Sequence, residues 1–324
     1  MTTDFSQQRL EKYQQTLKQN YTGCLFDIDG TLTVRGDEFM PEFMNQPLAE
    51  MALQIPMGVC TARRLAHAYE KLAPMFMKSS NPLKSQENWV LICENGGIGY
   101  VFDPVKKKYE EFFRVDFFYD DEQKNNIYEQ IKNALGDKVG VSFQNEVSIV
   151  FRPINVDDND REELAKRSHE LAMMIKEVLP KYDPKTVLRI GDSGIGVVVF
   201  PYTGNKENGT AMFAKYLSKK NGYKFSPNLQ EIVVVGDQPI PGGNDEFFLD
   251  GKYGTPFTVG EVHPQNLLPL PVYKSDNEII KGPEGTLSLL QQLHFNHDGI
   301  FTRKPARGDI YGHTKFVSLR QVYI

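Results

Sequence analysis

Four short apolar runs, each leading into a polar residue, constrain this chain more than any other feature. They lie at 24–26, 55–60, 89–93 and 232–235, and the polar residues that follow include Asp27, Thr61, Glu94 and Asp237. Short apolar runs bounded by polar punctuation read as buried strands. Segments with helical spacing at 46–54 and 65–76 separate the first three, and strands alternating with helices predict a parallel α/β sheet. In such sheets ligands gather beyond the carboxyl ends of the strands. The polar tips are therefore expected at one edge.

The first tip is Asp27-Ile28-Asp29-Gly30-Thr31-Leu32-Thr33. In extended backbone, residues two apart share a face, so Asp27 and Asp29 point the same way. Two carboxylates that close are costly unless a cation or a proton lies between them. The pair suggests a Mg²⁺ site in which one carboxylate can do covalent chemistry; taken alone it also fits an acidic turn on a solvated loop. The second run ends in Thr61-Ala62-Arg63-Arg64, and the fourth leads into Gly236-Asp237-Gln238-Pro239-Ile240-Pro241-Gly242-Gly243-Asn244-Asp245. Lys206 stands at the start of a helical segment. Phosphoryl transfer needs this inventory: an oxygen nucleophile, cations for the equatorial oxygens and ligands for a metal that bridges protein and phosphate. Singly, Thr61 could be a helix cap and Asn244 with Asp245 a turn.

At 324 residues the chain exceeds what one hydrophobic core usually holds. After residue 103 the pattern changes to helices at 121–135 and 160–179, an alternating strand at 147–154, and two runs flanking Gly191-Asp192-Ser193-Gly194 that signal a hairpin. The expected organisation is a first core part at 1–103 with a packing helix at 4–19, an inserted α+β unit at 104–201, a second core part at 202–294 and an extension at 295–324. The net charge of −5, with both signs interspersed, argues against a nucleic-acid partner, and no apolar run approaches the ~20 residues of a membrane span. Three cysteines, Cys24, Cys60 and Cys93, each lie in or beside an apolar run and read as buried thiols. With no signal-like N-terminus, the sequence predicts a cytoplasmic protein without a membrane partner. It leaves the oligomeric state open, a homodimer included.

Taken together and in order, these segments resemble the four motifs of the haloacid dehalogenase (HAD) superfamily over about residues 20–295. The resemblance implies a Rossmann-like parallel-sheet core with a large α+β cap of the C2 type, subfamily IIB. It is nearest to eukaryotic-type phosphomannomutase and to the sucrose- and trehalose-phosphate phosphatases, through Glu94-Asn95-Gly96, Val199-Phe200-Pro201 and the form of the fourth motif. It implies Asp27 as nucleophile and Asp29 as acid and base. Mg²⁺ would be held by Asp27, Asp29 (through its carbonyl) and Asp237, supported by Asp245, with Thr61, Ala62 and Lys206 on the phosphate and Gly30, Arg63 and Asn244 in support. The substrate it implies is a small phosphorylated metabolite, a sugar phosphate first. The chain departs from the mannomutase pattern after Arg152-Pro153-Ile154-Asn155, where no arginine follows, and at Thr203-Gly204-Asn205, where a tryptophan is usual. A mutase must clamp a second phosphate on the cap, for which Arg114, Arg152, Lys185 and Arg189 are available, Arg152 and Arg189 being the preferred substrate contacts. The expected function is a phosphatase. A phosphosugar mutase and a catalytically idle binding module are the alternatives.

Overall fold

The computed structural model describes residues 5–301 apart from 155, 158–159, 264, 275–276 and 298–299. The first core part runs α1 (Ser6–Thr16), β1 (Asn20–Tyr21), β2 (Gly23–Phe26), α2 (Glu42–Ala52), β3 (Met57–Cys60), α3 (Leu65–Lys78), α4 (Pro82–Glu87), β4 (Trp89–Cys93), β5 (Ile98–Asp103) and β6 (Lys108–Arg114). The insert holds α5 (Asp121–Leu135), β7 (Val139–Gln144), β8 (Ile149–Pro153), α6 (Arg161–Tyr182), β9 (Leu188–Asp192) and β10 (Val197–Pro201). The chain then returns through α7 (Lys206–Asn221), β11 (Ile232–Gly236), β12 (Thr255–Thr258), β13 (Leu270–Pro271), α8 (Gly282–Gln292), β14 (His294–His297) and β15 (Ile300–Phe301).

The core sheet has eight strands in the order β13-β12-β11-β2-β3-β4-β5-β6. Pairing is parallel from β13 to β4 and antiparallel through β5 and β6. The central strands are buried on both faces, which is why their sequences are continuous apolar runs rather than alternations. Cys24, Phe26, Val59, Leu91, Val233 and Val235 join the cluster under α2, α3 and α8, while Leu25, Cys60, Ile92, Ile232 and Val234 join the one under α7. On α1, Tyr13 is buried edge-on against Phe257 and Tyr273, with Leu10 and Leu17 partly buried beside the core.

The insert, or cap, is a four-stranded antiparallel sheet in the order β7-β8-β10-β9. Ile149, Phe151, Val197 and Val199 pack beneath α5 and α6. Their neighbours Val150, Arg152 and Val198 point from the opposite face, toward the core tips. The helix α5 starts on a reciprocal Asp120–Gln123 capping box and α6 on Asp160, which accepts from the Glu163 N–H. The cap also meets the core through a two-bond seam: the Asp192 N–H donates to the Gly242 carbonyl at 3.0 Å, and the Asn244 N–H donates to the Asp192 carbonyl at 2.9 Å.

Four sequence expectations change. The boundary at 104 is too early, because β6 extends the core sheet and the cap begins after Arg114. Residues 78–88 contain α4, capped by the Asn81 side chain with Pro82 at its first turn, rather than only a loop. Residue 295 does not begin a separate extension, since β14 pairs in parallel with β1. The cap carries an additional strand, β7. The basic residues Arg303, Lys304, Arg307, Lys315 and Arg320 lie outside the described residues. No described helix is long and apolar enough to cross a membrane.

Candidate active site

Asp27, Thr61 and Asp237 are each the first residue past a strand, following β2, β3 and β11. Parallel register brings these three ends to one edge. The Asp27 N–H continues the ladder by donating to the Val235 carbonyl at 2.8 Å. The chain then folds back, the Ile28 carbonyl accepting from the Leu32 and Thr33 N–H groups at 2.9 Å. Gly30 is required there: its φ is +82°, and a Cβ would lie 1.9 Å from Asp237 Oδ2. This turn sets Asp29 beside Asp27, with Ile28 buried on the other side.

Behind the tips lies a buried charge network. Lys206, the first residue of α7 and 1% exposed, donates to Asp27 Oδ1 at 2.8 Å and to Asp245 Oδ1 at 2.7 Å. Asp245 Oδ2 accepts from the Asp237 and Gln238 N–H groups at 2.9 and 3.0 Å. Both Asp245 oxygens thus serve to position Lys206 and the fourth-motif loop. Arg35 donates to Asp237. Arg63 grips Asp29 with two parallel bonds of 2.7 and 2.8 Å, and Lys71 stands 3.8 Å away.

The electrostatics follow from burial. Desolvation pushes the Asp27 carboxyl up to about 7, against the pull of Lys206 and with further repulsion from Asp245 and Asp29. Asp237 is pushed well up by burial despite Arg35. Asp29, although buried, is held below the ordinary carboxylate range by the Arg63 hydrogen bonds and charge. Asp27, Asp237 and Asp245 offer oxygens within 4.8 Å of one another and face two cations, Lys206 and Arg35. A cluster of hard oxygen donors with surplus negative charge fits Mg²⁺, which needs few protein ligands. Asp27 and Asp237 are the carboxylates best disposed to hold it.

The site opens into a cavity of about 320 Å³ between the tips and the helix-free face of the cap sheet. Asp27, Asp29, Thr61, Ala62, Arg63 and Asn244 line the core side, and Phe143, Asn145, Val150, Arg152, Ser193 and Val198 line the cap side. Thr61 Oγ1 also accepts from the Arg63 N–H at 3.3 Å, fixing the turn that follows β3. Of the cap cations singled out from the sequence, Arg152 lines the cavity. Arg189 is exposed and donates to the Leu188 carbonyl. Arg114 pairs with Glu111 and Glu146, and Lys185 donates to the Phe118 carbonyl. Sequence reasoning missed Arg35, Lys71, Phe143 and Asn145. Arg35 and Lys71 carry no motif signal. Phe143 and Asn145 follow from β7, whose alternation was overlooked.

A parallel sheet with acidic tips past β2 and β11, a lysine opening α7 and an α+β insert before that lysine define the HAD fold with a cap. Solved structures share this architecture. The chain is similar to IMP-bound, N-terminally truncated IMP-nucleotidase of Plasmodium falciparum, with 15% identity, 90% of this chain and 74% of that one covered, and a TM-score of 0.58. It is also similar to the C-terminal domain of trehalose-6-phosphate phosphatase from C. albicans, with 13% identity, 89% and 96% covered, and a TM-score of 0.55. At such identities the likeness establishes the fold. No protein-family model and no curated protein matches the sequence.

Proposed function

We propose that this protein is a Mg²⁺-dependent phosphomonoester hydrolase that takes the phosphoryl group of a small phosphorylated metabolite onto Asp27. The observation that carries this reading is the buried Asp27–Lys206–Asp245–Asp237 network opening into a capped cavity. Asp27 attacks phosphorus in line with the leaving oxygen, giving an aspartyl-phosphate, while Thr61 and Lys206 hold the phosphoryl oxygens. Asp27, the Asp29 carbonyl and Asp237 would hold Mg²⁺, which would supply positive charge to the phosphate. Asp29 takes the proton of the water that hydrolyses the intermediate. Its ionised state under Arg63 suits this half of the role, and donating a proton to the leaving oxygen requires Arg63 to loosen its grip.

The cap wall supports a nucleoside monophosphate as substrate class. Phe143, Val150, Val198 and Ile195 offer apolar surface and one aromatic ring to the part of the substrate remote from phosphate. The likeness to a protein named as an IMP-nucleotidase points the same way. A sugar phosphate is the second reading, favoured by the polar Asn145, Ser193 and Asn244 and by the likeness to a trehalose-6-phosphate phosphatase. The mutase alternative is weakened because, of the four cations considered for a second phosphate, Arg152 alone lines the cavity, and Arg114 belongs to the core strand β6. The idle-module alternative is weakened by the complete charged network.

Phosphate release from a panel of nucleoside monophosphates and sugar phosphates, with Mg²⁺ and with Asp27→Asn as control, tests the proposal. Turnover by the wild type and none by the variant is expected. Equal rates for the two would remove Asp27 as nucleophile, and no turnover of any member would favour the binding module.

A further inference from the structure

Glu94 is 2% exposed, yet it lies outside the cavity lining and has no part in the chemistry described. Its backbone and its side chain face different domains. The Glu94 N–H donates to the Arg63 carbonyl at 2.9 Å, and the Asn95 N–H to the Thr61 carbonyl at 2.8 Å, so this turn braces the loop that carries Thr61. The side chain crosses to the cap. Glu94 Oε2 accepts from the Val147 N–H at 2.7 Å and the Ser148 hydroxyl at 3.1 Å, and Oε1 accepts from the Glu146 N–H at 3.2 Å. From the other side Lys124 donates to the carbonyls of Asn145 and Glu146. The loop joining β7 to β8 is thereby held by a carboxylate on its N–H groups and an ammonium on its carbonyls.

The backbone shows that this placement has a cost. Glu94 and Asn95 have φ of +51° and +63°, and Gly96 follows at +101°. Left-handed backbone at a glutamate is uncommon, and strain of this kind is retained where the surroundings over-determine it. Here the surroundings are the three donors of the cap loop and the two carbonyls of the Thr61 loop.

We infer that Glu94 is a positioning residue that sets the distance between the phosphate-binding loop and the substrate-facing edge of the cap. It does so by fixing loop 145–148, and with it Asn145 and the end of β7 bearing Phe143, opposite Thr61. The inference rests on the hydrolase reading above and deepens it: Glu94 governs recognition of the part of the substrate remote from phosphate and leaves the transfer step to others. A substrate too short to reach the cap is insensitive to it.

The test uses the full chain as wild type, Glu94→Ala and Glu94→Gln. Steady-state kinetics are measured on the best nucleoside monophosphate or sugar phosphate of the panel and on acetyl phosphate. Glu94→Ala is expected to raise KM for the metabolite on the order of tenfold, with kcat changed far less. Its kcat/KM for acetyl phosphate should stay within about twofold of wild type. Glu94→Gln keeps an acceptor for Val147 and Ser148 and should restore most of the KM. A parallel fall on both substrates, or an unchanged metabolite KM, overturns the inference. Amide hydrogen exchange gives a reading that needs no turnover. The amides of Glu146 and Val147 should exchange on the order of tenfold faster in Glu94→Ala while β8 and β10 keep their protection, and unchanged exchange would overturn the inference even if the wild type hydrolysed nothing.

Discussion

Replacing Lys206 by Met tests whether the network behind the tips is balanced as described. The lysine is fully buried and lies 2.8 and 2.7 Å from two buried carboxylates. Removing one partner of such a cluster costs ~3–5 kcal/mol, because the charges left behind are uncompensated. For a chain of this size that corresponds to a fall in Tm of about 5–10 °C. The loss should depend on pH in a definite direction. Asp27, already pushed up to about 7 with the lysine present, is pushed further without it. A carboxyl whose pKa is higher folded than unfolded binds its proton more tightly in the folded state. Its contribution is present below the unfolded pKa and is lost as pH rises through the folded one. The variant should therefore lie closest to wild type near pH 5 and fall away toward pH 8. Adding Asp27→Asn removes one of the stranded charges and should recover part of the loss. Thermal unfolding by circular dichroism at pH 5 and pH 8, with chelator present, gives all three comparisons. A pH-independent gap, or a double variant less stable than Lys206→Met alone, would refute the reasoning.

Two further outcomes follow from the same geometry. At Gly96 a Cβ would lie 2.1 Å from the Asn205 carbonyl oxygen and 3.0 Å from the Lys206 nitrogen, at a φ of +101°; Gly96→Ala should displace the start of α7 and lower kcat with KM little changed, and wild-type kinetics would show that the α7 start tolerates the shift. Arg63→Met should let the Asp29 pKa rise from its depressed value, read by following the Asp29 carboxyl carbon in an NMR pH titration against an Asp29→Asn control for assignment; an unmoved titration would show that Arg63 does not set Asp29.

The central sheet was legible because parallel strands buried on both faces leave unmistakable apolar runs. Ile232, Val233, Val234 and Val235 can hardly be anything else, and Asp237 follows one residue later, after Gly236. The core tips could be assembled from sequence because each borrows its position from a strand end. What stayed hidden depends on packing across long separations. β6 is half exposed at the sheet edge, and its mixture of Lys108, Glu110 and Glu111 with Phe112 and Phe113 obscured its membership. β14 becomes a strand by pairing with β1, some 270 residues away. α4 was masked by its own cap, since the serine, asparagine and proline around Asn81 that start the helix also mark loops. In the cap, alternation at 147–154 announced a strand, but only the α5–α6 layer determines that Phe151 turns inward and that Val150 and Arg152 turn toward the core.

The two-bond seam at Asp192 has a consequence for how this architecture can be rebuilt. The cap is joined to the core by two covalent crossings, after Arg114 and before Lys206, which would make it a natural cassette for exchange between relatives. Besides the anchor that Glu94 makes to loop 145–148, the seam gives this cassette an attachment written in backbone atoms, and therefore indifferent to side-chain identity but strict about loop length. A grafted cap whose β9–β10 turn is one residue longer or shorter would meet Gly242 and Asn244 out of step, and the loop carrying Asp237 and Asp245 would lose its outer edge. Chimeras that respect that length should carry a new cavity wall over intact core tips.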